Sequence, residues 1–227
     1  MKPVADANSV SVTTRVWDLP TRLFHWTLVA LVALQFATGE FGWLSMEWHY
    51  RFGYATLALL LFRVVWGLIG SQTSRFADFL RGPRALARYL RAGFSSRPQA
   101  GSGHNPLGGW SVLAMLVALL VQAISGLAAS DGIDNDGPFV DRVSPALVKL
   151  ATRLHHLGEN LLLALIALHV VAVLLYWLVK HDNLVLPMIT GTKRVDAPPP
   201  RFVSGWRALL IFLLAAAAVL LLAYFGA

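Results

Sequence analysis

Five stretches of the chain, about 24–45, 50–70, 107–129, 157–179 and 206–226, are apolar for close to twenty residues each. A helix of that length crosses the hydrocarbon core of a bilayer. Charged residues make up 14% of the chain, against roughly 25% in soluble domains. Inside hydrocarbon every backbone polar group needs an internal partner, which leaves helices as the means of crossing. The expected fold class is therefore all-α, an integral membrane bundle of five transmembrane helices. More than twenty mostly polar residues precede the first run, and no small-residue cleavage pattern follows it. The first run reads as a retained anchor and not as a removable signal peptide.

Basic residues set the expected orientation. Fourteen Lys and Arg fall in the tail 1–24 and the 71–106 and 180–207 loops. The opposite side holds only Arg51, Arg142, Lys149 and Arg153. The positive-inside rule then places the N-terminus in the cytoplasm and the C-terminus outside. Topology accounts for the net charge of +7, so no nucleic-acid partner is inferred from it. Cysteine is absent. That excludes disulfides, thiolate metal sites, cysteine-ligated iron–sulfur clusters and covalent c-type haem.

The loops carry weaker signals. SRFADFLRGPRALARYLRAG mixes aromatics with arginines. It reads either as a basic amphipathic helix lying on membrane lipid or as a solvated loop rich in inside-facing charge. DGIDNDGP lacks the spaced acids and closing Glu of an EF-hand, so it reads as an acidic loop and not a calcium site. APPPRF is a stiff linker before an almost wholly apolar last helix, expected to serve as an anchor or interface.

The fourth run opens with RLHHLGENLLLALIALH, residues 153–169, and imidazole in hydrocarbon needs a partner. Fourteen residues separate His155 from His169, which puts them within roughly 40° of one face and about 21 Å apart in depth. His156 lies nearly opposite His169, roughly 220° around, and is expected at the outer surface. The first run enters from the basic side with His25 near that end, at the depth of His169. His49 opens the second run at the depth of His155. Two depth-matched pairs follow, and two histidines facing across a bundle are the axial ligand set of a haem. Any one of the four is equally well read alone as a packing residue or a proton relay; the pairing favours haem iron.

Other residues fit that arrangement. Gly53 lies four residues after His49, on the same face, where a missing side chain lets a macrocycle approach. Gly39 offers a second small position at the outer depth. Arg63 is an intramembrane charge whose expected partner is a haem propionate, a carboxylate or the interface. His104 and His181 are expected to be polar loop residues. Glu159, one turn beyond His155, reads as a proton carrier or partner beside the outer site, or as a protonated carboxyl bonded to another helix.

RVWDLPTRLFHW, HYRFGYATLALLLFRVVWGLIGS, GHNPLGGW and HHLGENLLLALIALH…NLVLPMITG, taken in order, resemble the bacterial di-haem cytochrome b561 family. That family includes the cytochrome b subunits of nickel–iron hydrogenases. The resemblance covers about 14–193. It implies four haem-bearing helices, two non-covalent haem b groups, and axial positions matching His25, His49, His155 and His169. It also implies a bacterial inner membrane and electron exchange between quinone and a second redox partner. Where many relatives have HE at the start of the fourth span, this chain has His155-His156, and the fifth helix lies outside the resemblance.

The expected organisation is a disordered tail at 1–14, a di-haem transmembrane domain at 15–193, a linker at 194–205 and an added helix at 206–227. The expected function is transmembrane electron transfer between the quinone pool and a dehydrogenase, a hydrogenase or a c-type cytochrome. A superoxide:quinone oxidoreductase is the alternative, although the outer acids Glu40, Glu47, Asp131, Asp134, Asp136 and Asp141 would repel superoxide. A haem-free proton or metal transporter is the remaining alternative.

Overall fold

The computed structural model describes residues 12–91, 103–195 and 198–226. A strand, β1 (Val12–Arg15), leads into α1 (Leu19–Gly39) and α2 (Met46–Ile69). Two short helices, α3 (Phe76–Phe79) and α4 (Pro83–Arg91), precede α5 (Pro106–Gly126) and the long α6 (Pro145–Leu178). The chain closes with α7 (Val185–Thr190), β2 (Thr192–Val195) and α8 (Gly205–Gly226).

Helix starts follow local chemistry. Asp18 caps α1 by accepting the Thr21 N–H at 2.8 Å, and Asn105 caps α5 by accepting the Gly108 N–H at 2.7 Å. Ser144 does the same for α6, and each of the three helices has proline in its first turn, where no N–H is needed.

Among the described residues four helices, α2, α5, α6 and α8, are long and apolar enough to cross a membrane. The fifth expected span, α1, matches them in length but carries Arg22, His25 and Gln35, and it packs along α2. α2 is the centre of the bundle, touching α1, α5 and α8. Its Leu60 and Trp66 are fully buried and join Phe24, Leu116, Leu162, Ala208 and Ala215 in the main core. Outward-facing leucines and valines along α6, such as Leu161, Leu168 and Leu174, remain exposed, as suits a surface solvated by lipid tails.

Three expectations change. The segment 145–154, read as outer loop, is the first part of α6, whose 34 residues span about 51 Å. The helix runs on through Lys149 and Arg153 there without a break. Residues 12–14, read as part of a disordered tail, belong to β1, which pairs antiparallel with β2 from Val12↔Val195 to Arg15↔Thr192. The rest of the expected tail, 1–11, lies outside the described residues. The expected 194–205 linker loses its first two residues to β2, and two later positions are tied down: the Gln72 N–H bonds to the Arg201 carbonyl at 2.9 Å and the Val203 N–H to Ser71 Oγ at 3.1 Å.

These ties gather β1, β2, α3, α4, α7 and the start of α8 at one end of the bundle, the basic end. The loops after α1 and α5 form the opposite end. There Asp131 Oδ1 accepts the backbone N–H groups of Ile133, Asp134 and Asn135, which holds its pKa down to about 2. Among the described residues no three His, Asp or Glu converge as ligands for a free metal ion.

Candidate functional site

The outer pair is brought together by α2 and α6. His49, four residues into α2, and His155, eleven residues into α6, have ring centres 6.3 Å apart with planes at 80°. Each ring is oriented through Nδ1. His155 Nδ1 donates to the Gln122 carbonyl at 3.0 Å. His49 Nδ1 lies 3.1 Å from Thr38 Oγ1. The Thr38 hydroxyl spends its proton on the Leu34 carbonyl at 2.8 Å, so it is the acceptor from His49. Both imidazoles therefore keep the Nε2 lone pair, the tautomer a metal-binding histidine needs.

Glycines let these rings sit where they do. A Cβ on Gly39 would stand 2.9 Å from His49 Cε1, and one on Gly126 would stand 2.8 Å from His155 Cε1. Gly53, expected to admit a macrocycle, faces the Gln35 side chain instead, with Nε2 3.3 Å from the site of a Cβ. Gln35 and Gln122 both hold an enclosed, unpartnered side-chain oxygen between the helices.

The inner site lies toward the basic end. His25 on α1 and His169 on α6 are electrostatic neighbours, and His25 Nδ1 is enclosed without a partner. Arg63 is buried nearby on α2, 3% exposed. It donates to the Ser74 carbonyl at 3.0 Å and lies 5.1 Å from the centre of the Phe76 ring. A backbone carbonyl and aromatic faces hold it, and of the expected partners a carboxylate, Asp18, lies within electrostatic reach.

His104 departs from expectation. Read as a polar loop residue, it sits between Trp17 and Phe79 with its Nδ1 enclosed, within electrostatic reach of Arg63 and His169. Its place directly before the Asn-Pro cap of α5 was the one local signal that it is held near the bundle. His181 is exposed, as is His156. Glu159 reaches the Glu40 carboxyl at the end of α1.

A family model for the prokaryotic cytochrome b561 matches residues 16–191. This chain belongs to that family. Comparisons with curated proteins and with solved structures return no match. Membership makes the protein a transmembrane b-type cytochrome, a haem b carrier in electron transfer. The residues present suit such a group. Two imidazoles on one iron, each about 2 Å from the metal as in other imidazole sites, have ring centres about 6 Å apart. His49 and His155 stand at that spacing with their Nδ1 atoms already engaged.

Proposed function

We propose that this cytochrome b561 carries electrons across a bacterial inner membrane between quinone and a redox partner protein, using two haems. His49 and His155 would hold the outer haem, and His25 and His169 the inner one. When bound, each haem b supplies a one-electron Fe(III)/Fe(II) carrier. The observation that carries the reading is the outer pair: two imidazoles from different helices at ligand spacing, each with its second nitrogen bonded to the protein.

The chain's own residues do the tuning. Thr38 and the Gln122 carbonyl fix ring tautomer and raise ligand basicity. Gly39 and Gly126 leave room for the rings, and Arg63 places positive charge at the inner level. The basic end would face the cytoplasm and the acidic loops the periplasm. The partner would be a c-type cytochrome, a dehydrogenase or a hydrogenase subunit. The cleft at the acidic end sets Lys149 and Arg153 against Asp131 and Asp141, so it offers no net positive funnel for superoxide. That keeps the protein-partner reading ahead.

The test is haem content and the visible spectrum of purified protein with and without quinol. Two haems per chain in a low-spin b-type spectrum are expected, falling to one when His49 or His155 is replaced by Ala. A colourless wild type, or unchanged haem content in all four single histidine variants, would sink the assignment.

A further inference from the structure

Parts of the chain far apart in sequence pack against His104, which is half-buried with its Nδ1 enclosed. Trp17, just before α1, meets it edge-on at 4.9 Å between ring centres, and Phe79 of α3 lies tilted at 4.8 Å. The Arg63 guanidinium is 5.9 Å from the centre of that same Phe79 ring. Phe79 thus contacts both the imidazole and the guanidinium, with His169 within electrostatic reach. Burial, with Arg63 and His169 adding to it, pushes the His104 pKa down to about 4. At neutral pH the ring is uncharged and keeps one N–H to give. Its Nδ1 nevertheless meets no partner, and neither does the Nδ1 of His25. Arg63 bonds only the Ser74 carbonyl, although a guanidinium carries five N–H donors. The His104 Nδ1 is thus left without a partner, and Arg63 has donors beyond its one bond. Such a site is costly unless an acceptor fills it.

We infer that His104 and Arg63 together hold an oxygen acceptor bound beside the His25–His169 pair. This rests on the two-haem reading above. Arg63 supplies the charge that an oxygen with negative character needs in a medium of low dielectric. His104 supplies a single directed N–H that fixes where that oxygen sits. Two sources carry this chemistry, a carboxylate of the inner haem and a carbonyl of a quinone ring. His104 acts here as a positioning residue toward that oxygen and not as an iron ligand.

The test compares wild type, His104→Phe and His104→Gln, each purified with haem. Phe keeps the ring in the Trp17–Phe79 slot, and Gln restores an N–H donor. Potentiometric titration of the haem bands is followed by steady-state kinetics with decylubiquinol. If the acceptor is the haem carboxylate, His104→Phe shifts one of the two reduction equilibria by about tenfold, 59 mV for one electron, and His104→Gln recovers most of the shift. If it is the quinone carbonyl, both potentials stay and the KM for decylubiquinol rises about fivefold with Phe but not with Gln. Potentials and KM all within twofold of wild type in His104→Phe would overturn the inference, as would equal losses with Phe and Gln. A wild type without two titrating haems brings down the two-haem reading and this inference with it. A normal wild-type titration with an inert His104→Phe brings down the inference alone.

Discussion

Thr38, at the end of α1, accepts a hydrogen bond from His49 of α2 at 3.1 Å while giving its own proton to the Leu34 carbonyl. The hydroxyl has one proton, so the helix backbone decides the direction of the His49 bond and therefore its tautomer. Removing it should loosen the outer site without touching the inner one. Thr38→Val is expected to weaken outer haem retention about tenfold, in line with the loss of a ligand's supporting bond, and Thr38→Ser should keep it. Haem-to-protein ratio after dilution into haem-free detergent measures this, and equal retention in Val and Ser variants would count against the tautomer argument.

Gly126 and Gly53 make a paired prediction. A methyl at Gly126 meets the His155 ring at 2.8 Å, whereas at Gly53 it meets only the end of the flexible Gln35 side chain at 3.3 Å. Gly126→Ala should displace His155, changing the spectrum and halving haem content. Gly53→Ala should leave both near wild type. The reverse order would show that the macrocycle, and not the ring, occupies the space at Gly53.

Asp18 joins two helices. It is 1% exposed, caps α1 through Thr21, and accepts the Trp66 indole N–H at 3.2 Å. Asp18→Ala removes the cap and leaves a buried donor unpaired, expected to cost about 2–4 kcal/mol. Asp18→Asn, which keeps an acceptor, should cost less than half of that. Thermal melting of haem-loaded protein in detergent reads the difference; equal melting temperatures for the two variants would remove Asp18 from this role.

The acidic-end loop should respond to pH through Asp131. Its folded pKa is depressed to about 2 by three backbone N–H groups and the Asn135 side chain. The unfolded carboxyl titrates near 3.9. The stabilisation is thus fully present above about pH 4 and is lost as pH falls toward 2. Proteolytic nicking of the 131–136 loop should rise across that window in wild type. In Asp131→Asn nicking should be high at neutral pH already, and a pH profile matching wild type would refute the assignment.

The family and the membrane character of the chain were legible in its residues because both depend on local patterns. Runs of twenty apolar residues need no partner to be read, and fourteen residues along a helix return His169 close to the face of His155 whatever surrounds it. The same is true of the Asp-Leu-Pro, Asn-Pro and Ser-Pro helix starts. The start of α6 was misread because Lys149 and Arg153 break hydropathy without breaking a helix. β1 was missed because its partner lies about 180 residues away.

The chain's sequence by itself determined where the long apolar helices lie, how far apart along them the histidines ride and which end is basic, since these follow from hydropathy, charge and the pitch of a helix. Only the tertiary structure decided that Thr38 and Gln122 orient the outer histidines, that Gly39 and Gly126 make room for them, and that Arg63 rests on Ser74 and Phe76. It likewise packed the loop residue His104 between Trp17 and Phe79 with its Nδ1 enclosed. Burial and hydrogen-bond partnership are properties of groups that meet across the bundle, and no periodicity along one strand of chain encodes which groups those are.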